Sequence, residues 1–210
     1  MRPFSTKERS EIADAITTAE ATTSGEIVVV AASASGGYYA TALMWAAVAS
    51  LAVPLPLIHT TQMPIEYIYL IQLGVFLIGA MLTQWEDFRF AIVPAAVKRA
   101  RAHQRAVEQF LVQNMHTTQG RTGVLIYVSF AERYVEVIAD NGIYKKVPHQ
   151  VWEGVVAKLT HHLARGERTK GLIEAIQTCG KVLAQHFPPD QGAKDELPNH
   201  LIVLDGYRGY

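Results

Sequence analysis

YYATALMWAAVASLAVPLPLI, residues 38–58, and IEYIYLIQLGVFLIGAML, residues 65–82, decide how the chain is laid out. The first run carries no charged residue, and the second carries only Glu66, near its start. At about 1.5 Å of rise per residue, each approaches the roughly 30 Å of a bilayer's hydrocarbon core as a helix. Pro54 and Pro56 fall near the far end of the first run, where a helix stops or kinks. The link from Ile58 to Pro64 is long enough only for a turn. The stretch reads as a transmembrane hairpin, with its flanks on one side of the membrane.

Charge sets the expected orientation. The link has no Lys or Arg, whereas Arg89, Lys98, Arg99, Arg101 and Arg105 follow the second run. The positive-inside rule then places both flanks in the cytoplasm. Trp85, Phe88 and Phe90 are the aromatic anchor expected at the inner interface. The basic residues Lys98, Arg99, Arg101 and Arg105 are also candidates for holding anionic lipid headgroups. No secretory signal pattern opens the chain.

The 210 residues leave room for one compact domain beside the hairpin, and a formal net charge of zero argues against a nucleic-acid binder. The lone Cys179 forbids an intrachain disulfide and, in its apolar helical context, reads as a buried thiol.

Working outward, Ser5 and Glu8 form a capping-box pattern opening a helix that Gly25 stops. Glu26–Ala31 is short, β-branched and almost wholly apolar, as a strand buried on both faces is. Beyond the hairpin, one long helix is expected from Ala91 to about His116, and a second central strand over Val124–Ser129. Tyr134–Ala139 is a third strand, antiparallel to the second across a short turn. Asp140-Asn141-Gly142 ends it with turn chemistry. Two amphipathic helices follow, separated at Gly166, and the Pro-, Gly- and Asp-rich segment from Pro188 reads as a flexible tail. A helix between two successive central strands is a crossover, so those strands are expected to be parallel and the hairpin to be an insertion within the connection.

GVLIYVS at 123–129, RYVEVIADNG at 133–142 and SGEIVVV at 24–30, with the glycines at 166 and 171, resemble the TPM domain family. That family is named for a thylakoid lumen protein, a photosystem II repair protein and a receptor auxiliary subunit. The likeness covers about residues 4–34 and 91–187, and is nearest an uncharacterised bacterial membrane-protein branch. It implies a three-layer α/β/α domain with a short mixed sheet, interrupted over 38–82 by the hairpin and followed by a tail over 188–210. It implies an inner-membrane protein with a cytoplasmic domain and termini, serving as an accessory or interaction module for a membrane-protein partner or a second copy. The alternative it raises is a phosphatase dependent on Ca2+ or Mg2+. Phe4-Ser5-Thr6 stands where the family has an aspartate, and Val147-Pro148-His149-Gln150 stands where it has an acidic residue. Asp140, with Asn141, is the metal-ligand candidate that remains.

The histidines offer no shared metal site by spacing. His149 and His161 lie more than three helical turns apart, the adjacent His161 and His162 point to different faces, and His103 and His116 are unpaired in sequence. No Walker loop, Gly-x-Ser-x-Gly elbow, Cys-x-x-Cys or His-Glu-x-x-His is present, and Ser129 has no base near it in sequence.

Overall fold

A computed structural model describes residues 3–118, 120–189, 197 and 199–205. The chain divides into two compact units, one made of residues 1–35 and 99–210 and the other of residues 36–98.

The first unit is built on a four-stranded mixed sheet in the order β3-β2-β1-β4. β1 (Glu26–Ala32) is buried along its whole length. It runs parallel to β2 (Gly123–Ser129) from Glu26↔Gly123 to Ala32↔Ser129. β3 (Tyr134–Ala139) lies antiparallel to β2, with Val124 opposite Ala139. The expected parallel crossover and antiparallel hairpin are both present. Successive side chains of a strand face opposite ways, and the core divides accordingly. Ile27, Val29, Ala31, Val124, Ile126 and Val128 face α1 (Thr6–Glu20), α8 (His149–Ala164) and α9 (Arg168–His186). Val28, Val30, Leu125 and Tyr127 face Ala106 and Phe110 of α6 (Ala95–Val112) and the 3-10 residue Met115. The unit is therefore three-layered.

Two local expectations need correction. The long helix from Ala91 is two helices, α5 (Glu86–Ile92) and α6. The break is Pro94. It has no N–H to donate and holds Val93 in extended backbone at φ −80°, ψ 126°. The tail also contributes a strand. β4 (Leu201–Leu204) pairs parallel with β1 from Val29↔Leu201 to Ala32↔Leu204. A buried strand needs hydrogen-bond partners on both sides, and β4 supplies the second side. The tail residues 190–196, 198 and 206–210 lie outside the described residues.

Asp140 does not end β3 in a plain turn. It N-caps a one-turn helix, α7 (Asn141–Tyr144), through a 2.7 Å hydrogen bond from the Asn141 N–H to its Oδ1. Ser5 and Glu8 form the expected capping box, at 3.2 and 2.8 Å.

The second unit holds α2 (Tyr39–Ala52), α3 (Pro54–Thr60) and α4 (Ile65–Leu82), followed by α5. α2 and α3 together form a 22-residue apolar span and α4 an 18-residue one, and only 11% and 6% of their windows are buried. Gly79 lets α4 approach α2 closely, since a Cβ there would lie 2.9 Å from the Ala46 Cβ. At the open end Arg89 is buried. Its Nη1 donates to the Thr83 carbonyl at 2.9 Å and its guanidinium stacks 3.8 Å from the Tyr39 ring centroid. One side chain thus ties the end of α4 to the start of α2.

Gly142 → Ala is expected to destabilise the first unit by about 1–3 kcal/mol, because the new Cβ collides with the backbone carbonyls of Gly120 and Arg121. Denaturant unfolding of the full chain checks this; an unchanged midpoint contradicts the packing described.

Candidate functional site

Because β3 runs against β1 and β2, the sheet has two chemically different edges. Asp140 follows β3 and lies beside the start of β2, its N–H bonded to the Gly123 carbonyl at 2.9 Å. It is therefore at the amino edge of the parallel strands. The segments leaving β1 and β2 meet at the other edge, roughly 20 Å away along the strands.

At the amino edge Asp140 is 5% exposed. Its Oδ1 caps α7, and its Oδ2 is buried without a hydrogen-bond partner. Arg121 Nη1 is 3.9 Å from Oδ1. Asn141 is exposed in the first turn of α7. A hard divalent cation needs about six oxygen ligands. One carboxylate facing a guanidinium does not fit that need. No group of three His, Cys, Asp or Glu that could hold a metal stands together among the described residues.

At the carboxyl edge polar groups converge. The turn after β2 is tied to the chain leaving β1 by Phe130 N–H to Ala32 O at 3.1 Å and Ala131 N–H to Ser33 O at 3.0 Å. The Glu132 carboxylate accepts from the Ser35 N–H at 2.9 Å and from the Ser129 hydroxyl. The Ser35 hydroxyl donates to Ser129 Oγ at 2.8 Å, which leaves the Tyr127 hydroxyl as donor to Ser35 at 2.9 Å. The protons thus point one way, from Tyr127 through two serines to Glu132. Burial pushes the Tyr127 phenol above its ordinary value, against the lowering pull of its bond to Ser35, and the Glu132 charge adds to the rise. Tyr127 therefore stays a neutral donor. Ser129 is 0% exposed, so it positions the turn and cannot attack a substrate.

Beside this network is a cavity of about 410 Å3, lined by Ser129, Phe130, Arg133, Val135, Thr160 and Leu163, and closed by Ala164. Spacing alone could not reveal this site. Ser35 and Ser129 lie on either side of the hairpin in sequence, and only the β1–β2 register joins them.

The other sequence candidates are dispersed. Lys98 Nζ donates to the Phe90 carbonyl at 3.0 Å, Arg101 to Gln104 at 3.1 Å and Arg105 to Glu108 at 2.7 Å, while Arg99 is exposed. His103 meets Glu136 at 2.9 Å, and His149 lies 3.8 Å from Glu153. His116 has a buried, unpartnered Nδ1. Cys179 is fully buried, and burial pushes its thiol up to about 12.

His162 is the residue that sequence reasoning undervalued. Its side chain is 15% exposed, with Nδ1 2.8 Å from Glu167 Oε2 and Nε2 2.9 Å from Glu174 Oε2. Both nitrogens can donate only when the ring carries both protons. The signal lay in the two glutamates, five and twelve positions on, once α8 and α9 are antiparallel neighbours. Gly171 permits the approach, since a Cβ there would lie 2.7 Å from the His162 Cβ.

A four-stranded mixed sheet between helical layers, with its polar groups gathered where the parallel strands end, defines a small α/β/α domain. Residues 83–182 match the family model of the TPM domain, so the chain contains a TPM domain. The NMR structure of BA42 protein from the psychrophilic bacterium Bizionia argentinensis sp. nov. matches with a TM-score of 0.60 at 22% identity, covering 96% of this chain and 96% of that one. At that identity the likeness shows the fold. No curated protein matches the chain.

The hydrogen bond with His162 holds Glu167 below the usual glutamate range, assisted by Lys170 and Arg165. A lowered folded-state value means stability that is full above the ordinary range and lost as pH falls through the lowered value. Acid titration of wild type should therefore show loosening of the α8–α9 connection in that window. His162 → Gln should flatten the dependence there, and an unchanged acid profile would show that the bracket contributes nothing.

Proposed function

We propose that the protein is a membrane-anchored TPM domain, held in an inner membrane by the α2–α3/α4 hairpin and serving as an accessory or interaction module for a membrane-protein partner or a second copy. Both termini and the TPM domain face the cytoplasm, as the basic residues after α4 favour.

The observation that supports this reading is the exposure of the hairpin. Leu51, Leu55, Tyr69, Leu70, Ile78 and Met81 are between 62% and 70% exposed on two helices with almost no charge. Soluble monomers rarely expose apolar patches beyond a few hundred Å2, and larger ones mark membrane or protein interfaces. Two helices of about 33 and 27 Å at 1.5 Å per residue suit a bilayer. Among described residues the hairpin carries one acidic group, Glu66 in the first turn of α4, close enough to the end to reach the interface.

Topology tests the reading directly. Cys179 is buried with a suppressed thiolate and should stay silent towards a membrane-impermeant maleimide. With that background, Thr60 → Cys should label from outside intact cells and Lys158 → Cys only after permeabilisation. Labelling of both positions on one side, or release of the protein by alkaline carbonate, would overturn the anchor.

The metal-dependent phosphatase reading rests on Asp140, whose Oδ1 caps α7 and lies 3.9 Å from Arg121 Nη1. The expected result with p-nitrophenyl phosphate and added Ca2+ or Mg2+ is no hydrolysis. Turnover that Asp140 → Ala abolishes would replace the accessory reading with an enzymatic one.

A further inference from the structure

The turn between β2 and β3 places Arg133 in left-handed backbone at φ 51°. For a long L side chain that conformation is strained, and Gly or Asn would meet the same backbone need more easily. The turn is nonetheless rigidly set. Arg133 N–H bonds to the Phe130 carbonyl at 3.1 Å, and Phe130, Ala131 and Glu132 are each bonded to the chain leaving β1.

Apart from the exposed Arg99, the other described arginines of this unit have internal partners. Arg105 meets Glu108, Arg121 approaches Asp140, Arg165 approaches Glu167, and Arg168 meets the Pro3 carbonyl. The Arg133 guanidinium has no hydrogen-bond or ion-pair partner among the described residues, and Arg133 is one of the residues lining the 410 Å3 cavity. No carboxylate lines that cavity with it. The two hydroxyls on its wall are committed internally, Ser129 to Glu132 and Thr160 to the Val156 carbonyl at 2.7 Å. The remaining wall is Phe130, Val135, Leu163 and Ala164. The cavity therefore combines one uncommitted planar cation with an apolar floor, in the size range of small-ligand pockets.

We propose that this cavity binds an aliphatic carboxylate, its head group paired with the Arg133 guanidinium and its short chain seated against Phe130, Val135 and Leu163. A guanidinium meets a carboxylate through two parallel hydrogen bonds, and the positive charge has no acid in the cavity competing for it. The carboxylate is either a free short-chain acid or the C-terminus of a chain ending in an aliphatic residue. The site lies wholly within the sheet-bearing unit, so it stands whether or not the hairpin proves to be embedded.

The test is a methyl-labelled NMR titration of the detergent-solubilised full chain, following Val135 and Leu163. The probes are valerate, its neutral isostere valeramide, and a short peptide ending in valine as free acid and as amide. Saturable shifts are expected with valerate and not with valeramide, weakening as salt is raised. Arg133 → Gln should lower the affinity about tenfold or more, the equivalent of one strong charged contact. Arg133 → Gly relieves the backbone and removes the cation, so it should fold well and bind as poorly. Tighter binding of the free-acid peptide than of valerate assigns the site to a chain end, while binding of valerate alone assigns it to a small molecule. Equal response to valerate and valeramide, unaltered binding in both Arg133 variants, or no shift at tens of millimolar probe overturns the proposal.

Discussion

Burial of β1 on both faces and along both sides is the constraint on which the rest depends. Its seven residues are all buried, and its backbone is bonded to β2 on one side and β4 on the other. A parallel pair cannot be closed by a tight turn, so the chain must travel from one end of the sheet to the other between β1 and β2. α6 makes part of that journey and also seals one face through Ala106 and Phe110. The hairpin lies in the same connection. Loop-closure cost rises only about 0.6 kcal/mol per doubling of length, so a long insertion is tolerated there. What it cannot do is displace the register, because a slip of one residue would turn Ile27, Val29 and Ala31 to the wrong layer.

The parts of this architecture carried by local chemistry were legible in the sequence. The Ser5–Glu8 box, the unbroken apolar run of β1 and the Arg133–Gly142 strand each encode their own structure within a few residues. The two helices after Pro148 do so as well. Pro94 was visible too, but the apolar spacing on either side of it outweighed it in a reading that followed periodicity. β4 was hidden by its setting. Four apolar residues after a Pro- and Asp-rich stretch are too short to declare a strand until β1 is known to need a second partner.

The site was less legible, for a topological reason. Asp140 follows the β3 strand, and its place in the linear sequence does not say at which edge of the sheet it lies. The antiparallel pairing of Val124 with Ala139 sends it to the amino edge. The parallel register of β1 and β2, by contrast, brings Ser35 and Ser129 together across the whole length of the hairpin insertion. His162 illustrates the same limit. Its two glutamates are near in sequence, but they face it only because α8 and α9 pack closely at Gly171.

The two edges also differ in how their charges are used. At the amino edge the buried charge serves the fold. Asp140 caps α7, and the Arg121 guanidinium stands 3.9 Å from the same carboxylate oxygen. At the carboxyl edge the polar groups are connected in series, and their protons all run inward to Glu132. That series satisfies the buried hydroxyls and fixes the turn, and it leaves no spare donor on the cavity wall. A ligand there finds its hydrogen bonds only at Arg133, whose backbone is held in a conformation that a glycine would adopt more cheaply. The fold accounts for the turn; it does not account for the cation at its tip.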